Sequence, residues 1–174
     1  MISEKMQASI NDQINAELHS GYLYLAMVAY FESENLPGFA AWMRCQAQEE
    51  NAHAMKFFAY LNERGGRVLL QPIDGPDTEW DSPLAAFEAA YKHECYISSR
   101  IHDMVKVARE ENDVAAEIFL QWYVSEQVEE EANADEVVQK LKRLAGAPGG
   151  LYMVDKELGQ RTFTPPAGEG EDGD

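Results

Sequence analysis

The stretch Glu49-Glu50-Asn51-Ala52-His53 constrains this chain more than any other, because Glu50 and His53 fall on the apolar stripe of a helical pattern running from about 37 to 64. Residues three apart lie on one face of a helix, so the two side chains can reach a single point in space. Phe39, Met43, Ala47, Ala54, Phe57 and Leu61 share that stripe, which makes it the side expected to be buried. A carboxylate there costs several kcal/mol unless a cation, a proton or a metal compensates it. No Lys or Arg shares the stripe near Glu50. A lone Glu-x-x-His also occurs on partly solvated helices and says little by itself, but three other segments of the chain repeat the anomaly.

Residues 3 to 34 form a Pro-free amphipathic segment with Ile10, Ile14, Gly21, Tyr24 and Val28 on its inward face and Glu17 in the middle of that face. The short connection around Glu34-Asn35-Leu36-Pro37-Gly38 makes the first two helices antiparallel neighbours, with Pro37 suited to a first helical turn. The second helix stops at Gly65-Gly66, a strong C-terminal signal. Arg67 to Ser82 then shows no helical period. These residues can extend to roughly 53 Å, whereas a helix of about 28 residues is roughly 42 Å long. The connection can therefore cross the whole bundle and start the third helix at the same end as the second.

The third helix is expected from Ser82-Pro83, with Phe87, Ala90, Ile97, Ile101 and Val105 inward and Glu94 among them. After a break near Glu111-Asn112-Asp113, a fourth runs to about Ala145 and turns Ala116, Phe119, Leu120, Tyr123, Ala134, Val137 and Leu141 inward, with Gln127 and Glu130 interrupting the stripe. Leu151, Val154 and Leu158 indicate a short fifth helix, in which Leu151 and Leu158 are expected to be exposed and available to a neighbouring copy. The expected fold class is all-α: a four-helix bundle with one long crossover between helices two and three, plus a short C-terminal fifth helix. One domain is expected over 1–160, followed by a disordered acidic tail over 161–174.

The net charge is −17, and without residues 161 to 174, which carry one Arg and four acids, it is still −14. Such a field repels nucleic acid and anionic lipid and concentrates cations, so neither a nucleic-acid partner nor a membrane is expected. The first residues lack the basic and then apolar layout of a signal peptide, and no later run is long or apolar enough to span a bilayer. A cytoplasmic location is expected. Cys45 and Cys95 have no zinc-type spacing and read as two small thiols in a reducing compartment.

Each of the four long helices thus carries a mid-length glutamate on its apolar face: Glu17, Glu50, Glu94 and Glu130. In a bundle they would converge at one level with His53. Left empty, four carboxylates in a low-dielectric interior repel one another and take up protons. Two divalent ions would balance them, and carboxylate oxygen with imidazole nitrogen suits iron, manganese or zinc.

Glu17, Tyr24, Glu49-Glu50-x-x-His53, Glu94 and Glu126-Gln127-x-Glu129-Glu130, with Trp122 beside them, closely resemble the pattern of the non-haem bacterial ferritins, within the ferritin-like di-iron bundles. The resemblance covers roughly residues 1 to 160. It implies a dinuclear iron site, one iron held by Glu17, Glu50 and His53 and the other by Glu50, Glu94 and Glu130, with Glu50 bridging. It makes Gln127 a polar group near the site. Tyr24, on the same stripe as Glu17 and two turns along, reads either as a hydrogen-bond donor or extra-electron source for the site or as a core tyrosine with a satisfied hydroxyl. A third, more exposed iron site is implied at Glu49, Glu126, Glu129 and Glu130.

The implied activity is ferroxidase: Fe²⁺ is oxidised by O₂ or H₂O₂, and ferric oxide is stored inside a homo-oligomeric cage of twenty-four subunits. The chain departs from neighbouring families in telling ways. Ile97 follows Glu94 by three, and no His follows Glu126, Glu129 or Glu130 at that spacing, so the second Glu-x-x-His of bacterioferritins and rubrerythrins is missing. Asn51 stands where bacterioferritins carry a haem-ligating Met, so no haem is expected. His19, His93 and His102 lie off the inward stripes and are expected on the surface. Two rival readings keep the bundle but change its role: a soluble di-iron oxidoreductase that stores no mineral, and a structural interaction module whose acids pair within the protein.

Overall fold

The computed structural model describes residues 2–164, and among them there are five helices and no strand. The helices are α1 (Glu4–Ser33), α2 (Pro37–Glu63), α3 (Pro83–Glu110), α4 (Val114–Leu144) and α5 (Gly150–Leu158). Three of the starts follow from a capping side chain. Ser3 Oγ accepts from Met6 N at 3.1 Å, Ser82 Oγ from Ala85 N at 3.1 Å, and Asp113 Oδ1 from Ala116 N at 3.0 Å, satisfying amides the helix cannot pair itself.

Three of the ends share one device. Asn35, Gly65 and Asn112 take left-handed backbone at φ 57°, 72° and 52°. The next residue then donates its N–H back to a carbonyl five positions earlier: Leu36 to Phe31, Gly66 to Leu61 and Asp113 to Ala108. This reversal closes a helix within two residues, and Asn adopts the conformation more readily than most residues that carry a side chain.

The first turn of α2 has no cap of its own, since Leu36 contributes no side-chain hydrogen bond. Asp155 in α5 supplies one from far along the chain, its Oδ1 accepting from Gly38 N at 2.8 Å and Phe39 N at 3.1 Å. Gly38 is required there: a Cβ on it would lie 1.7 Å from the Asp155 carbonyl oxygen. This contact fastens α5 across the start of α2. Val154 and Leu158 are consequently buried against the bundle, so Leu158 is not the exposed position expected of it. Leu151 is exposed, as are Tyr152 and Met153.

α1 packs closely with α2 and α3 with α4, as the short connections between them require. The crossover between α2 and α3 is laid along α1. Gln7, Asn11 and Asn15, four apart, form a polar rail. Gln7 Oε1 accepts from Arg67 N, Asn11 exchanges hydrogen bonds with Arg67 O and Leu69 N, and Asn15 donates to Pro72 O. At the far end Trp80 packs edge-on against Tyr30, with ring centroids 5.3 Å apart. The loop therefore traverses the bundle.

Two apolar clusters fill the interior. One surrounds Met27, Phe31, Phe39, Met43 and Phe87 near the α1–α2 turn; the other surrounds Ile10, Ile14, Phe57, Ile101 and Leu120 near the opposite end. Between them lies a layer of buried polar side chains. No helix among the described residues is long and apolar enough to cross a membrane. Of the expected acidic tail, residues 161–164 are described, and the remainder lies outside the described residues.

Candidate metal centre

The polar layer is built by side chains from all four long helices. Glu17 comes from α1, Glu50 and His53 from α2, Glu94 from α3, and Gln127 and Glu130 from α4; none is more than 4% exposed. The helical period selects these positions, because the apolar residues that flank them pull the same faces inward. All four glutamates converge at one level with His53. One oxygen each from Glu17 and Glu50 and a ring nitrogen of His53 lie within 4.8 Å of one another, a spacing that could hold a metal ion. A second such group combines His53 with Glu126 and Glu130. Glu94 falls in neither group. Its carboxylate is engaged by the Tyr24 hydroxyl, which donates to Oε1, and by Gln127 Nε2, which donates to Oε2 at 3.2 Å.

Two further glutamines complete the layer. Gln13 Nε2 donates to Glu17 Oε1 at 2.7 Å, and Gln46 Nε2 donates to Glu130 Oε2 at 2.8 Å, both amides being fully buried. Each glutamate so held keeps one oxygen free to bind something else. Glu17 Oε2 is buried without a hydrogen-bond partner among the described residues, as is Gln46 Oε1. A buried acceptor with nothing to accept costs about 1–3 kcal/mol, and a cation at this position removes that cost. The donor set therefore fits a metal ion.

The electrostatics agree. Burial first, then the Glu94 and Glu17 carboxylates, raise Glu50 well above the usual carboxylate range. Glu94 is pushed up to about 8, by burial and then by Glu130, against the lowering effect of the Tyr24 and Gln127 hydrogen bonds. Both shifts favour the protonated form of Glu50 and Glu94 at neutral pH. Tyr24 is held protonated by burial and by the adjacent Glu94 charge.

At the edge of the layer, burial raises Glu49 to about 7 despite Arg161, whose Nη2 lies 2.6 Å from Glu49 Oε2. The Arg161 guanidinium also stacks over Trp42 at 4.4 Å. Glu126 is half-buried and its pKa is raised by burial, whereas Glu129 is exposed. Trp122 stands edge-on to His53 at 5.5 Å, and Tyr123 donates to the His53 carbonyl at 2.9 Å, fixing that turn of α2.

Of the other histidines, His102 is exposed. His93 is a correction to the expected surface placement: it is half-buried, its Nε2 lies 2.7 Å from Ser20 Oγ, and its ring meets Tyr24 edge-on at 6.3 Å. Burial, with His19 adding to it, lowers its pKa to about 4. His19 is likewise half-buried.

Gln13, Gln46 and Arg161 were not singled out from the sequence. The signal for the two glutamines was present, since each sits four residues before a buried glutamate on the same stripe. Arg161 lies beyond the last helix and has no local signature.

Residues 7–144 match the ferritin-like domain family. The bacterial non-heme ferritin of Bacteroides fragilis is 46% identical over 161 residues, covering 92% of this chain and all of the relative. That of Staphylococcus aureus is 35% identical over 94% of this chain and 98% of the relative. Among solved structures, an engineered closed form of the Archaeoglobus fulgidus ferritin superposes with a TM-score of 0.93 at 54% identity, covering 94% of this chain and all of that one. An open-pore ferritin of the same archaeon gives 0.91 at 54% identity over 92% and 98%. A bundle with four buried glutamates and one histidine at its waist, matched along nearly its whole length by these relatives, belongs to the ferritin-like family.

Proposed function

We propose that this chain is an iron-storage ferritin that oxidises Fe²⁺ at an intra-subunit dinuclear centre and retains the ferric product as oxide mineral inside a cytoplasmic cage of twenty-four copies. The observation that carries the reading is the convergence of Glu17, Glu50, Glu94 and Glu130 with His53 in a layer whose Glu17 Oε2 has no hydrogen-bond partner among the described residues. Fe²⁺ is the substrate. Glu17, Glu50 and His53 hold one ion, and Glu50, Glu94 and Glu130 hold the other, with Glu126 close enough to His53 and Glu130 to take part. Glu49, Glu126, Glu129 and Glu130 form a third, more exposed site.

Two Fe²⁺ ions each give up one electron, and O₂ with two protons accepts both as H₂O₂. The protons held on the empty carboxylates leave as the ions bind, so charge stays close to balance during loading. Tyr24 donates to Glu94 throughout and is placed to supply a further electron. The oxidised ions carry more charge than the four carboxylates balance, which favours their departure as oxide.

The test is an anaerobic Fe²⁺ titration followed by O₂, monitored by absorbance. Two tightly bound ions per chain that oxidise together are expected, and Glu50→Ala should reduce the rate at least about 100-fold. Unchanged oxidation in Glu50→Ala would end the reading. Retention of only a few irons per chain, or a small oligomer by size exclusion, would leave a di-iron oxidase and remove the storage role.

A further inference from the structure

We infer that Arg100, on the outer side of α3, is a positioning residue for the metal centre: it clamps the Gln13 amide so that Glu17 must present Oε2 as its ligand atom. The inference rests on the proposed metal site. Arg100 Nε donates to Gln13 Oε1 at 2.9 Å, and Gln13 Nε2 donates to Glu17 Oε1 at 2.7 Å. An amide has one accepting and one donating end. Arg100 has only donors to offer and Glu17 Oε1 accepts from the amide's other end, so a single orientation of Gln13 satisfies both neighbours.

The guanidinium is itself fixed on its other sides, Nη2 donating to the Asp12 carbonyl at 3.0 Å and Nη1 to Tyr96 Oη at 3.2 Å. A rigid fork behind the amide therefore determines which carboxylate oxygen is tied and which is free. Gln46 provides the contrast: it donates to Glu130 in the same way, but its Oε1 has no hydrogen-bond partner among the described residues. The two halves of the centre are thus held unequally, and the Glu17 half is the one anchored from outside.

The sign of the effect separates positioning from simple charge. Removing a cation near a metal site should tighten metal binding through Coulomb's law. Releasing the Gln13 amide should loosen it, because the amide can then swing away and leave Glu17 Oε1 untied, so that the carboxylate is no longer held with Oε2 toward the ion. Calorimetric titration of the assembled, metal-free protein with Zn²⁺, which has no redox chemistry, reads this directly. Arg100→Met is expected to weaken the Glu17-containing site about 10–100-fold, the usual effect of losing a partner that orients a ligand, and to leave the other tight site unchanged.

Arg100→Lys, which keeps a donor for Gln13, should recover most of the loss, and Arg100→Gln, too short to reach the amide, should behave like Met. In a Gln13→Leu background, Arg100→Met should cause no further loss, since the two act in series. Unaltered or tighter Zn²⁺ binding in Arg100→Met, or a full additional loss in the double variant, overturns the inference. Should the Met variant fail to fold, Arg100→Gln carries the same prediction and the same refutation. The wild-type titration stands apart: fewer than two tight Zn²⁺ per chain would refute the site itself rather than the role of Arg100.

Discussion

Replacing Glu94 by Gln should make the metal-free protein more stable at pH 8 and no more stable at pH 5. The folded structure lifts the Glu94 carboxyl from 4.5 to about 8, chiefly through burial and then through Glu130. A rise of that size is equivalent to on the order of 4 kcal/mol of native-state stability that depends on the proton. Because the folded pKa lies above the unfolded one, this contribution is complete below about pH 4.5 and is lost as pH rises toward and through about 8. An amide at position 94 cannot ionise, so it avoids the loss. It does set its own NH₂ against the Gln127 amide, which now donates to Glu94 at 3.2 Å, a mismatch costing about 1 kcal/mol. The net gain at pH 8 should be roughly 2–4 kcal/mol, or roughly 5–15 °C in melting temperature for a chain of this length. Guanidinium or thermal denaturation of both proteins in chelator, at pH 5 and pH 8, measures it. Equal stabilisation at both pH values, or none at pH 8, would refute the claim that the empty centre is a site of electrostatic strain. Added Zn²⁺ should reverse the order by stabilising the wild type more.

The same protons should appear in solution when metal binds: titration with Zn²⁺ at pH 7 in buffers of different ionisation enthalpy should show release of about one to two protons per chain, and none would contradict the raised Glu50 and Glu94. Tyr24→Phe removes the hydroxyl that donates to Glu94, and stopped-flow Fe²⁺ oxidation should slow about 10-fold with the fold intact by circular dichroism. Asp155→Ala uncaps α2 and should lower the denaturation midpoint by an amount equivalent to about 1 kcal/mol. Gly38→Ala, whose new methyl collides with the Asp155 backbone, should cost more than Asp155→Ala in the same assay.

The bundle and its waist were legible because the helical period records which face turns inward, and a glutamate on such a face is conspicuous. Glu17, Glu50, His53, Glu94 and Glu130 were all found by that criterion, and the crossover's span followed from chain length alone. What the period does not record is a bond between distant residues. The seat of the crossover on Gln7, Asn11 and Asn15 is one case: a polar edge beside a buried stripe looks like ordinary solvated surface. Leu158 is another. An amphipathic helix of nine residues can be covered by its own bundle or by a neighbour, and only the Asp155–Gly38 contact decides between them. His93 was misplaced for a related reason: it lies beside the inward stripe, and the α1 residues Ser20 and Tyr24 enclose it.

The cap on α2 comes from a residue 117 positions later in the chain. At a synthesis rate of about 5–20 residues per second, the helix that carries Glu50 and His53 waits on the order of ten seconds on the ribosome before its first turn can be completed. A nascent or truncated chain ending before Asp155 would have all five converging side chains but a frayed start to α2, so the helix that carries Glu50 and His53 is completed only once Asp155 has been made.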